Sequence, residues 1–134
     1  MANALTIQTL VDGPRNVVLK IDGYVDTADI TATDVADPAA LSAMSINNQL
    51  ATALRIDKIM YSIDEGLAVT LLWDATTDVR IVDLVKAGKM EYKKFGGITN
   101  NAGAGKTGKI QLSTEGWSSG KIYEFTVVLE LVKQ

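Results

Sequence analysis

The sequence predicts an all-β protein, a two-sheet antiparallel β-sandwich or jelly roll of about eight strands with one short helix. Three observations carry that expectation. Apolar residues recur with a period of two, as half-buried strands require. Clusters of Gly, Asp, Ser and Pro separate these runs at the spacing of an antiparallel β protein. Only one segment holds a convincing helix start. A chain of 134 residues is expected to form one domain, residues 1–134, that needs no disulfide or metal staple.

The elements follow in chain order. Leu5 and Ile7 alternate with Thr6 and Gln8 in a first strand, which Asp12-Gly13-Pro14 ends. Val17, Leu19 and Ile21 line one face of a second strand, opposite Val18, Lys20 and Asp22. Residues 23–37, rich in Asp, Thr and Ala, are expected to be a long loop. Asp37 as N-cap and Pro38 at the first helical position then start a short helix through Ala39, Ala40, Leu41 and Met44, closed by Asn47 and Asn48. Between Leu54 and Ile63 the inward row begins with Leu54 and Ile56 but resumes with Ile59, Tyr61 and Ile63. The phase slips near Asp57-Lys58, which predicts a β-bulge or a bend between two sheets.

Asp64-Glu65-Gly66 reads as a short hairpin with glycine in the left-handed position. Leu67, Val69, Leu71 and Trp73 line the strand after it. A second long loop, 96–108, is rich in Gly and Asn, and Ile110 and Leu112 mark the strand that follows. Loops of this length in a compact domain are functional, mobile or ordered by a partner. Ser118-Ser119-Gly120 leads into the clearest strand of all. There Tyr123, Phe125, Val127, Leu129 and Leu131 lie on one side, and Glu124, Thr126, Val128 and Glu130 on the other. Val128 and Val132 predict that this second face is partly covered too.

Composition narrows function from the negative side. The chain has no cysteine, which removes disulfides, thiol catalysis and thiolate metal sites. It has no histidine, the commonest general base and zinc ligand. The opening residues 1–6 lack the basic and apolar regions of a signal peptide, and no apolar run reaches the length of a membrane span. A soluble product made in the cytoplasm is the expectation. A net charge of −3 is no footprint for bulk nucleic-acid binding. That charge is unevenly placed: residues 1–50 carry −4, residues 51–83 carry −3 and residues 84–134 carry +4. Ordinary solvated surface accounts for this; the sharper alternative is that opposite patches meet when copies of the chain pack together.

Few motifs suggest chemistry. Asn101-Ala102-Gly103-Ala104-Gly105-Lys106-Thr107 ends like a phosphate-binding P-loop. The full pattern needs glycine where Asn100 stands, and a helix where the alternating run Lys109–Ser113 follows. A glycine-rich loop with backbone conformations closed to other residues is the better expectation. Asp22, Asp26, Asp29, Asp34 and Asp37 have the ligand chemistry for calcium, but not the spacing of an EF-hand loop. Aspartates that cap turns and keep a loop hydrated are favoured. Sixteen acidic residues make any nearby carboxylate pair unselective evidence for glycoside hydrolysis. Lys93, Lys94, Lys106 and Lys109 with Tyr92 and Phe95 form a basic, aromatic-interleaved set. Inward-packed aromatics with solvated lysines are expected there instead. Trp73 is expected in the core. Trp117 stands between two readings, a cap on the sandwich end or an interface residue.

Three strings resemble a family of small virion proteins of tailed bacteriophages. They are Leu10-Val11-Asp12-Gly13-Pro14-Arg15-Asn16-Val17-Val18, Leu71-Leu72-Trp73-Asp74-Ala75-Thr76-Thr77-Asp78-Val79 and the stretch from Phe95-Gly96-Gly97-Ile98 to Gly105-Lys106-Thr107-Gly108. The closing strand joins them, so the resemblance spans nearly the whole chain. It implies a β-sandwich or jelly-roll protein of the head-decoration (cement) type. Such a protein binds the outside of the expanded capsid, commonly as a trimer, and bridges subunits of the major capsid protein. No catalytic, cofactor-binding or metal-binding residues are implied, and neither nucleic acid, membrane nor small-molecule substrate.

Location on the virion capsid surface follows from that resemblance. The candidate partner contacts are Trp117, Lys93, Lys94, Lys106, Lys109, Asp26 and Asp29. Outward apolar residues (Val18, Leu72, Val128, Val132) suit burial between protomers and equally a two-sided core. The alternatives are another virion part, in tail, neck or head fibre, and a carbohydrate- or host-surface-binding module. An enzyme is the weakest reading.

Overall fold

The alternating runs become strands whose apolar rows face each other across two sheets. The computed structural model describes residues 3–44 and 48–134. Met1, Ala2 and Asn47, used in the sequence reading, lie outside them. Among the described residues there are nine strands: β1 (Ala4–Asp12), β2 (Asn16–Val25), β3 (Thr33–Ala36), β4 (Leu54–Ile63), β5 (Ala68–Trp73), β6 (Val79–Val85), β7 (Ala87–Glu91), β8 (Ile110–Glu115) and β9 (Tyr123–Lys133). They form two sheets, ordered β1-β2-β9-β4-β7 and β3-β8-β5-β6.

The pairing is nested. β2 lies against β9, β3 against β8, β4 against β7 and β5 against β6, all antiparallel. This is a long hairpin rolled over on itself, the topology of an eight-stranded jelly roll. β1 is added outside it as an edge strand on β2. The core fills the space between the sheets. Val17, Leu19 and Ile21 of β2, Val127, Leu129 and Leu131 of β9, and Ile56, Ile59 and Ile63 of β4 meet Val69, Leu71 and Trp73 of β5 and Ile110 and Leu112 of β8. The ring of Phe125 covers Gly23, its cross-strand partner, so closely that a Cβ there would come within 2.0 Å of it.

The expected phase slip is a β-bulge. Ile56 pairs with Leu131 and Lys58 with Glu130, leaving Asp57 as the extra residue. Asp57 is buried at the bulge and accepts from Arg55 Nε at 2.9 Å.

Three expectations need correction. Residues 23–37 are not one long loop, because β2 runs on to Val25 and Thr33–Ala36 pair with β8 as β3. The Asp64-Glu65-Gly66 turn is no hairpin, because β4 and β5 belong to different sheets. The inward rows of these strands must face each other across the core, and a hairpin would leave them side by side. Gly66 does adopt the left-handed conformation, at φ 96°. The expected helix is a single 3-10 turn, Pro38–Ala40, capped by the Asp37 carboxylate on the Ala39 N–H. It stops because the next polar backbone groups have tertiary partners: Ser42 donates its N–H to Asp12 Oδ2, and its carbonyl accepts from Lys133.

Candidate interaction surfaces

The acidic residues are spent separately. Asp22 accepts from the Thr126 hydroxyl at 2.8 Å and pairs with Lys20 at 3.4 Å. Asp29 accepts from the Thr114 hydroxyl and the Trp117 N–H, each at 3.1 Å. Asp34 accepts from Gln111 Nε2 at 2.8 Å and lies 3.3 Å from Lys109 Nζ. Hydrogen bonding to Gln111, helped by Lys109, holds the Asp34 carboxyl below its ordinary pKa, and Asp34 in turn raises that of Lys109. Among the described residues no group of three or more acidic side chains gathers where a metal ion would sit.

The glycine-rich loop is a packed connector. Thr107 donates its hydroxyl to Asp74 Oδ2 at 2.8 Å, and Thr76 N–H reaches Ala104 O at 3.1 Å. Strand β8 follows at Ile110. A phosphate cradle requires the loop's own amides to be free at a helix N-terminus, whereas Thr107 N–H donates to Asp74 O at 3.1 Å and Lys106 N–H to Gly103 O at 3.3 Å.

The seven candidate contact residues do not form one patch. Trp117 and Asp29 meet, but as a clamp: the half-buried indole packs on the core, and its Nε1 donates to Lys121 O at 3.0 Å. The backbone N–H of Asp26, in the same region, donates to Asn3 Oδ1 at 2.7 Å. Lys109 stands beside Asp34 at the β3 edge, and Lys106 is exposed in the glycine-rich loop. Lys93 and Lys94 are exposed together beyond the opposite edge, on a 3-10 turn, Lys93–Phe95, that follows β7. Of the outward apolar residues, Val132 is buried and Val18, Leu72 and Val128 are half-buried.

The turn holds a correction. Tyr92 packs on the core as expected, whereas Phe95 is 82% exposed, the most exposed large apolar side chain among the described residues. A 3-10 turn breaks the two-residue period of the strand, so parity no longer assigns Phe95 a side. The turn is firmly seated nevertheless. Phe95 N–H donates to Tyr92 O at 2.9 Å and Gly97 N–H to Tyr92 O at 2.8 Å, while Tyr92 N–H donates to Asp57 O at 2.8 Å. Ile98 then exchanges both backbone hydrogen bonds with Ile56 of β4.

The far edge is the other surface that sequence reading undervalued. β1 is exposed almost throughout, with Ile7, Leu10 and Val11 at 40%, 48% and 47%. It overhangs because the larger sheet has five strands and the smaller four. Below the overhang, Ile7, Leu19, Val35 and Leu41 line a groove of about 240 Å3 whose rim carries Asp34 and Asp37. Across the sheet's outer face, Lys58 lies 3.4 Å from Glu91 and 3.8 Å from Glu130. Lys58 holds the Glu91 carboxyl below its ordinary pKa, with Lys89 assisting.

The strand order and nested pairing define the class, an antiparallel jelly-roll sandwich with one added edge strand. No family model matches the chain, and no curated protein matches it. Among solved structures it is similar to a cupin superfamily protein from Desulfitobacterium hafniense DCB-2. That similarity covers 96% of this chain and 79% of the other at 13% identity, with a TM-score of 0.36.

Proposed function

We propose that this chain is a bacteriophage capsid decoration protein, which binds the outside of the expanded head and stabilises it by protein–protein contact. The observation that carries the reading is where the exposed apolar side chains lie. Ile7, Leu10 and Val11 run along one free edge strand, and Phe95 projects beyond the opposite edge. Large exposed apolar groups at the margins of a rigid sandwich suit a protein that works by contact with its neighbours. The resemblance of the three sequence strings to small virion proteins supplies the kind of neighbour, the major capsid protein. In this reading the protein is not an enzyme and needs no cofactor, and its stabilising effect comes from many modest contacts repeated over the lattice.

The test is to add the purified chain to expanded and unexpanded heads that lack it. Co-sedimentation with expanded heads and a higher head melting temperature are expected. Binding confined to tails or necks, or an unchanged melting temperature, would overturn the decoration role.

A further inference from the structure

We infer that the chain binds a second copy of itself head to tail, with Phe95 of one copy seated in the groove beneath β1 of the next. The two surfaces lie on opposite flanks of the sandwich. Lys93–Phe95 follows β7, at one end of the five-stranded sheet, and the groove lies under β1, at the other end. Four strand spacings separate these edges, roughly 19 Å. A contact between two unlike flanks is heterologous, so each copy keeps one free knob and one free groove until a ring closes.

Chemistry matches the two sides. The knob is an exposed phenyl ring flanked by two lysines. The groove has apolar walls from Ile7, Leu19, Val35 and Leu41 and carboxylates at its rim from Asp34 and Asp37. Lys109 sits 3.3 Å from Asp34 and offsets one of these charges, leaving the rim net negative. On the knob, Lys93 also borders a depression shared with Asp57, Lys58, Glu91 and Glu130 of its own chain, while Lys94 lies outside that depression. Size matches as well. A cavity of about 150 Å3 accepts benzene, and this groove offers about 240 Å3.

Both sides are built before they meet, which lowers the ordering cost of association. The knob is tied to β4 through Tyr92 and Ile98. The groove's Leu41 precedes Ser42, which Asp12 and Lys133 hold in place. β1 has no charged side chain from Ala4 to Val11, and among the described residues no strand pairs with its outer edge. A second copy satisfies the charge pattern without any other partner. The contact does not depend on the capsid reading, since it forms in the purified chain alone.

The experiment is sedimentation velocity on the full chain over a concentration series, with three variants. Wild type is expected to self-associate. Phe95→Asp, at an exposed position, and Ile7→Lys, at the groove, are each expected to sediment as monomers with unchanged circular dichroism. The Lys93→Glu/Lys94→Glu double variant is expected to weaken association about tenfold or more. The deciding step is an equimolar mixture of Phe95→Asp with Ile7→Lys. The first keeps its groove and the second its knob, so together they should form a one-to-one dimer and nothing larger. A wild type that stays monomeric at every concentration overturns the inference. So does an oligomer that survives Phe95→Asp, or a mixture of the two variants that stays monomeric.

Discussion

Lys133 shows how one residue can tie three segments. Its side chain is fully buried, and Nζ lies 2.7 Å from Asp12 Oδ1, 2.7 Å from Gly13 O and 2.6 Å from Ser42 O. These three short contacts match the three ammonium protons, and the Ser42 hydroxyl oxygen is a fourth, longer acceptor at 3.1 Å. The Ser42 hydroxyl adds a hydrogen bond to Asp12 Oδ1 at 2.8 Å. The last residues of β9, the β1–β2 turn and the segment after Pro38–Ala40 thus share one ion. Lys133→Met keeps the length of the side chain but takes the ammonium from the Gly13 and Ser42 carbonyls and leaves the Asp12 carboxylate with only its Ser42 donors. The expected loss is about 2 kcal/mol of unfolding free energy, read from urea denaturation. Unchanged stability would mean that burying the ammonium costs as much as its hydrogen bonds return. The signal for this residue was present in the sequence. The inward row of Tyr123, Phe125, Val127, Leu129 and Leu131 has Lys133 as its next member, and parity alone places it inside.

At the scale of elements, the glycine-rich loop separates shape from chemistry. Gly108 has φ 84°, and a Cβ there would stand 2.1 Å from the carbonyl oxygen of Thr52. Gly103, five residues earlier, has nothing within 4 Å of the same position. Gly108→Ala is therefore expected to cost about 2–4 kcal/mol, and Gly103→Ala to stay within about 0.5 kcal/mol of wild type. Thermal melts of the two variants check this, and equal losses would show that the loop is not held in this conformation.

The elements legible in the sequence are those with undisturbed alternation and one buried face, chiefly β2 and β9. β4 was legible because both halves of its broken row stay apolar around Asp57. β6 was not, because Leu71 pairs with Val82 and Leu72 with Arg80, which leaves Ile81 as an extra residue that breaks the period. β7 carries little apolar signal in Ala87-Gly88-Lys89-Met90-Glu91, and β3 has four residues inside an Asp-rich stretch. The candidate surfaces escaped for a related reason. Phe95 leaves the sheet on a 3-10 turn, and the exposure of β1 follows from the unequal strand count of the two sheets, which no local pattern encodes.

For the whole molecule, the absence of histidine becomes a statement about stability against pH. Asp12 and Asp34 have folded pKa values below their ordinary 3.8, the first through its hydrogen bond to Lys133 and the second through Gln111 and Lys109. A carboxyl with a depressed folded pKa contributes stability that is present above its unfolded pKa and lost as pH falls through the folded one. Lys109 has a folded pKa above 10.5, chiefly from Asp34, so its contribution is present below 10.5 and lost as pH rises through the folded value. No histidine side chain titrates between these limits. The melting temperature is therefore expected to be flat from about pH 5 to about pH 9 and to fall below about pH 4. Asp12→Asn removes one of the groups responsible and should shallow the acid limb while leaving the plateau flat. Melts across pH, at constant ionic strength and at a protein concentration low enough to keep the chain monomeric, check both statements. A step in melting temperature centred between about pH 6 and about pH 8 would overturn the assignment, because none of these side-chain links titrates there.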